Sequence, residues 1–248
     1  MLRSQRPLSS QRMYPERHDT MTPTPLLPLC DGVIFDCDGV LVDSERISNG
    51  VWARLLTEAG LPMTTEQSLG IFLGNSMATC VALATDMLGH ALPDDLLDRF
   101  HAITTIELER DLVAVNGVFS LLDALDATGV RYAVASNGEH EKMAITLGKT
   151  GLASRFDGRR FSSLDVGKPK PAPDLFLYTA AKMGFTPSRT IVVEDSPLGV
   201  MGASAAGMSV IGYAELVAAE RLRSAGATVT VERLLDVAPL IGISIPAS

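Results

Sequence analysis

The sequence predicts an α/β protein: a Rossmann-like parallel sheet core with an inserted α-helical cap domain. Three observations carry this. From residue 113 onward, short apolar strand-like runs alternate with helical patterns, and parallel strands need such crossovers. Residues 45–112, by contrast, read as helix without an interrupting strand pattern, directly after the first apolar run. Finally, 248 residues with 46% apolar and 20% charged side chains are enough for one large core plus an annex.

Taken in order, residues 1–28 carry four arginines and five prolines but no continuous apolar stretch of the secretory kind, and are read as a flexible N-terminal tail. Met13 and Met21 inside it are alternative starts. Val33-Ile34-Phe35 is a buried strand that stops at Asp36-Cys37-Asp38-Gly39. Ile47, Val51, Leu55 and Leu56 then recur at helical spacing, followed by helices over 76–88 and 94–111. Pro62, Gly70, Gly74 and Pro93-Asp94 punctuate this block as turns and a helix start. Beyond it, strands are predicted at Tyr132 to Ala135, Ile191 to Val193 and Ser209 to Ile211, with a weaker one near Phe161. Helices fall at 118–127, 139–149, 174–183, 197–206 and 215–224. The domain reading is therefore a tail at 1–28, a core at 29–46 plus 113–248, and a cap at 47–112.

Composition excludes several classes. A formal charge of −8 argues against nucleic-acid binding, which needs clustered cations. No run of eighteen apolar residues exists, so no membrane span is expected. Three cysteines, Cys30, Cys37 and Cys80, make no disulfide framework or metal spacing and fit a reducing, cytoplasmic setting.

Ligands of open α/β sheets bind beyond the carboxyl ends of the strands. The residues there are Asp36 and Asp38, Ser136 and Asn137, Lys168, and Glu194 and Asp195. Two unit charges 4 Å apart repel by about 4 kcal/mol at an effective dielectric near 20, so converging carboxylates call for a cation. All-oxygen donors favour Mg²⁺ over zinc. Metal, lysine and hydroxyl together suit a phosphoryl group. Asp36 is then the nucleophile, and Asp38 the general acid that later serves as base. Each feature alone has a plainer reading. D-x-D is commonly a solvated turn, Ser136-Asn137-Gly138 a turn or cap, Lys168 a loop lysine, and Glu194 to Pro197 a helix cap. Their joint placement favours the site.

VIFDCDGVLVDSE at 33–45, VASNG at 134–138, GKPKPAPDLF at 167–176 and VVEDS at 192–196 resemble the four signature motifs of the haloacid dehalogenase-like superfamily. The resemblance is to the branch with a helical cap, which includes sugar phosphatases and β-phosphoglucomutase. It implies phosphorylation of Asp36, acid/base work by Asp38, and phosphoryl contacts from Ser136, Asn137 and Lys168. It also implies Mg²⁺ held by Asp36, the Asp38 carbonyl, Glu194 and Asp195, and a cap closing about hinges near 44–46 and 113–117. Asp38 speaks against dehalogenase activity, because halide leaves without protonation.

The expected function is a Mg²⁺-dependent phosphatase acting on a small phosphorylated metabolite, a sugar or sugar-acid phosphate. The alternatives are a β-phosphoglucomutase-like mutase or a non-catalytic phosphometabolite-binding protein. A mutase of this kind carries a cap arginine after the loop glycine; here the loop reads Leu73-Gly74-Asn75-Ser76-Met77, and residues 55–98 contain no lysine or arginine. Glu45, Asn49, Gly74 and Asn75 are candidate substrate contacts, although Glu45 and Asn49 also read as ordinary surface helix residues. Trp52 reads as cap core, Cys37 as core, and Asp174 as a helix cap or a partner for Lys168. Oligomeric state is open, with a monomer compatible.

Overall fold

A computed structural model describes residues 30–245; the tail at 1–28 lies outside the described residues. Six strands form one parallel sheet: β1 (Gly32–Phe35), β2 (Arg131–Ser136), β3 (Arg160–Ser162), β4 (Thr190–Glu194), β5 (Ser209–Tyr213) and β6 (Val229–Val231). Their spatial order is β3-β2-β1-β4-β5-β6, with Ile34 opposite Ala133 on one side and Val192 on the other. The most buried strands are therefore the most apolar runs.

Side chains alternate across β1. Val33 and Phe35 join one core with helices α5 (Val118–Thr128), α6 (His140–Lys149) and α10 (Val237–Leu240). Ile34 joins the other, beneath α7 (Asp174–Met183), α8 (Pro197–Ala205) and α9 (Ala219–Ala225). Between β1 and α5 come α1 (Glu45–Glu58), α2 (Thr65–Phe72), α3 (Met77–Leu88) and α4 (Leu96–Asp111). These four share a separate core built on Val51, Trp52, Leu55, Leu56, Phe72 and Phe100. The two connections to this block are stitched together: Asp43 N–H donates to the Val113 carbonyl (3.0 Å), and Val115 N–H to that of Leu41 (3.0 Å).

Three details depart from the sequence pattern. Gly70 lies inside α2 rather than in a turn. α9 begins at 219, not 215, because Val217 reaches the core from the preceding loop. β6 was not expected, since three half-buried edge residues give too short a run to stand out. Among the described residues, no single helix is long and apolar enough to cross a membrane.

Candidate active site

The chain winds from β1 outward to β3, then crosses to β4 and winds the other way. A crevice opens where the direction reverses, beyond the ends of β1 and β4. Asp36 lies directly after β1, its N–H donating to the Val193 carbonyl (3.0 Å), and Glu194 and Asp195 sit at the end of β4. Strand alternation sends the Cys37 side chain into the core, where burial pushes its thiol well above the usual range.

Lys170 is the lysine at this crevice. Its Nζ donates to Asp36 Oδ1 (2.5 Å), Glu194 Oε1 (2.6 Å) and the Ala135 carbonyl (2.9 Å), and it lies over the Phe176 ring at 5.0 Å. Lys168, which the sequence reading placed here, instead points outward with 64% of its side chain exposed and pairs with Asp174. The physical reason is the Lys170 backbone: its N–H donates to Asn137 Oδ1 (2.8 Å). Asn137, expected to touch phosphate, thus spends its side chain positioning Lys170.

Glu194 is fully buried; its second oxygen accepts from the Ser196 N–H (3.1 Å) and hydroxyl (3.0 Å). Gly199 in α8 permits this, since a Cβ there would fall 1.8 Å from Glu194 Oε1. Gly39, with φ of 81°, likewise makes room for Asp195, whose Oδ2 would lie 2.0 Å from a Cβ. Asp38 Oδ1 accepts from Ser44 Oγ (2.7 Å) and Lys142 Nζ (2.9 Å). In the sequence Lys142 stands out only as the lysine six residues after Ser136 in the second motif, with no role given to it; its place in the first turn of α6 brings it to Asp38 at the end of β1. Ser136 is buried and accepts from the Gly138 N–H (2.9 Å).

These contacts set the charges. Burial pushes Asp36 up to about 7, opposed by Lys170 and reinforced by Glu194 and Asp38. Burial, then Glu194 and Asp36, raise Asp195 well above the usual carboxylate range. For Asp38 burial also acts upward, but Lys142 and Ser44 outweigh it and hold the carboxyl below its ordinary value. Burial and the nearby Asp38 push Glu45 up to about 7.

One oxygen each from Asp36, Glu194 and Asp195 lie within 4.8 Å of one another. Fully ionised, the three carboxylates would exceed the one lysine by two negative charges, which is why burial and mutual repulsion raise Asp36 and Asp195; among the described residues no hydrogen-bond donor is paired with the Asp195 carboxylate. An all-oxygen set with that deficit fits a hard divalent cation.

A cavity of about 770 Å³ opens above this cluster and is walled on the far side by α1–α4. Asp36, Asp38, Ser136, Asn137, Glu194 and Asp195 line it; so do Glu45, Asn49, Gly74 and Asn75. Asn49 is less available than expected, because its amide donates to the Glu45 carbonyl (3.0 Å) and accepts from Ser68 Oγ (3.0 Å). The Asn75 amide donates to the Ile71 carbonyl (3.1 Å).

A buried carboxylate at the end of a central parallel strand, beside two further carboxylates that could hold a cation and a buried lysine, is an arrangement suited to phosphoryl transfer in an α/β enzyme. The family model for haloacid dehalogenase-like hydrolases matches residues 33–213, and the chain belongs to that family. It is 30% identical to the 6-phosphogluconate phosphatase of Escherichia coli K12 over 181 residues, covering 73% of this chain and 80% of that one. It is 31% identical to hexitol phosphatase A of the same organism over 185 residues, covering 73% and 82%. A HAD family hydrolase from Deinococcus radiodurans R1, solved with bound phosphate and sodium, superposes with a TM-score of 0.73 at 30% identity, covering 85% and 94%.

Proposed function

We propose that the protein is a Mg²⁺-dependent phosphatase that hydrolyses a small phosphorylated metabolite, a sugar or sugar-acid phosphate, through an aspartyl phosphate on Asp36. The enzyme is a phosphoric monoester hydrolase of its family, and the phosphatases among its relatives support the reaction class. The observation that carries the mechanism is the position of Asp36, fixed by main-chain pairing and facing the cavity beside Lys170 and two further carboxylates.

Asp36 would attack phosphorus and the ester oxygen would leave with a proton from Asp38; Asp38 would then take a proton from the water that cleaves the acyl phosphate. Held by Lys142 and Ser44, Asp38 is ionised, the form needed for the second half. For the first half it has to leave those contacts and take up a proton. Lys170, on exchanging one of its present acceptors, and the Ser136 hydroxyl would bind phosphoryl oxygens. Asp36, the Asp38 carbonyl, Glu194 and Asp195 would hold Mg²⁺, which would neutralise the charge of the phosphoryl group. Helices α1–α4 serve as the cap, the residue span 47–112 forming one unit over the site and screening it from water.

The absence of basic residues from 55 to 98 supports hydrolysis over a mutase, which must grip a second phosphate. The test is phosphate release from a panel of phosphate monoesters with Mg²⁺, with chelator, and with Asp36→Asn. Release that needs both the ion and Asp36 is expected. Glucose 1- and 6-phosphate interconversion faster than release would overturn the reading.

A further inference from the structure

We infer that the cavity selects phosphate esters whose remaining part is uncharged and bears hydroxyls, and that it disfavours esters carrying a second carboxylate or phosphate. The inference rests on the phosphatase reading and narrows its substrate class. The relevant asymmetry lies between the two ends of the cavity.

Both lysines that line it, Lys142 and Lys170, belong to the catalytic end, and both are already engaged, with Asp38 and with Asp36 and Glu194. The wall built by α1–α4 contributes no lysine or arginine among the described residues. Its one formal charge is Glu45, half-buried and on the same sign as an acidic substrate. Just outside the lining, Arg46 pairs with Glu215 (2.8 Å), and Arg221 gives one donor to the Leu73 carbonyl (3.2 Å). A second anionic group brought to this wall would lose water, meet Glu45 and find no lysine or arginine among the wall's lining residues.

Hydroxyls meet the opposite situation. Ser48, Asn75, Ser76 and Thr105 line the cavity as neutral polar residues; Ser76 Oγ accepts from the Thr79 N–H (3.1 Å) and Thr105 Oγ1 donates to the His101 carbonyl (2.9 Å), and each keeps oxygen lone pairs for a further bond. Trp52 Nε1 and Thr104 Oγ1 are buried without a partner among the described residues, but both are closed to solvent and lie behind the cavity surface rather than on it. The indole is held edge-to-face between Phe72 (6.0 Å) and Phe100 (5.4 Å). A substrate hydroxyl can pair with the neutral lining groups without bringing charge into the wall.

The test compares glucitol 6-phosphate with 6-phosphogluconate, which differ only in a hydroxymethyl or a carboxylate at the far end, with p-nitrophenyl phosphate as a third ester. All three are assayed with Mg²⁺ at pH 8. The expected kcat/KM ratio of glucitol to gluconate ester exceeds about fivefold, and Asn75→Lys, which places an ammonium on the wall, lowers that ratio by at least about threefold. A ratio below fivefold, or one that Asn75→Lys leaves unchanged, overturns the inference. So does turnover of p-nitrophenyl phosphate without either polyol ester. No release from any of the three esters instead overturns the phosphatase reading, and this inference with it.

Discussion

Lys168 and Lys170 stand two residues apart in one proline-rich segment, yet their removal should have opposite consequences. Lys170→Met keeps an unbranched apolar stem but deletes the ammonium that donates to Asp36, Glu194 and the Ala135 carbonyl and lies over the Phe176 ring. Removing one partner of a buried charge pair costs about 3–5 kcal/mol, because the other charge stays buried without compensation. Against a typical domain stability of about 5–15 kcal/mol, that is a large fraction. Lys168→Met removes only an exposed pair with Asp174, worth at most about 1 kcal/mol. Urea unfolding in chelator at pH 7.5, followed by far-ultraviolet circular dichroism and by fluorescence of Trp52, measures both. The expected loss is about 3–5 kcal/mol for Lys170→Met and within about 0.5 kcal/mol for Lys168→Met. Mg²⁺ should restore part of the deficit of Lys170→Met, since an ion in the carboxylate cluster supplies the missing positive charge. Phosphate release should fall by several orders of magnitude in Lys170→Met and by less than about threefold in Lys168→Met. A stability loss below about 1 kcal/mol for Lys170→Met, or equal damage from the two variants, would refute the assignment.

Asp36 and Glu45, both raised to about 7, hold protons in the folded chain that the unfolded chain has released between about pH 4 and 7. Ion-free protein should therefore lose stability as pH rises through that window, with a lower urea midpoint at pH 7.5 than at 5.5. Mg²⁺ should remove most of this slope, and a midpoint that rises with pH in chelator contradicts the charge assignment. Asp36→Asn should abolish turnover while still binding ester, as isothermal titration would show; turnover within a factor of ten of wild type would rule out the covalent route. Asp38→Asn should accumulate phosphoenzyme from an aryl phosphate, detectable as a mass increase of one phosphoryl group, and rapid decay of that species would count against Asp38 as base. Gly199→Ala should displace Glu194, because its Cβ would fall 1.8 Å from Oε1, and should weaken the dependence of the unfolding midpoint on Mg²⁺; an unaltered dependence would remove Glu194 from the ion site.

What the sequence discloses and what it conceals follow from how each feature is encoded. Val33 to Phe35 and Ile191 to Val193 are uninterrupted apolar runs because central parallel strands are covered on both faces, and the acids that terminate them mark the site. The choice between Lys168 and Lys170 is not written in spacing: both are followed by proline, and the choice is made by Asn137, thirty-three residues away, gripping the second one's backbone. Lys142 is visible as a lysine following Ser136-Asn137-Gly138, but its pairing with Asp38 is not, since a lysine in the first turn of a helix looks like solvated surface until the neighbouring strand end is placed beside it. The charge of the cavity wall, by contrast, could be read early, because a stretch without basic residues is a property of the sequence itself.

The four inserted helices fill their own interior around Trp52, while the sheet is supported by two other clusters to which that indole contributes nothing. On the proposed function, recognition and chemistry would then lie on largely distinct stretches of chain, joined where Leu108 and Leu73 of the insertion enter the sheet's clusters. Replacing side chains on the inner surface of the insertion would change which molecule is admitted while leaving the strand ends in place. Such an arrangement lets a lineage explore new substrates by drift in one segment while the reacting groups stay fixed, and offers the protein engineer the same freedom.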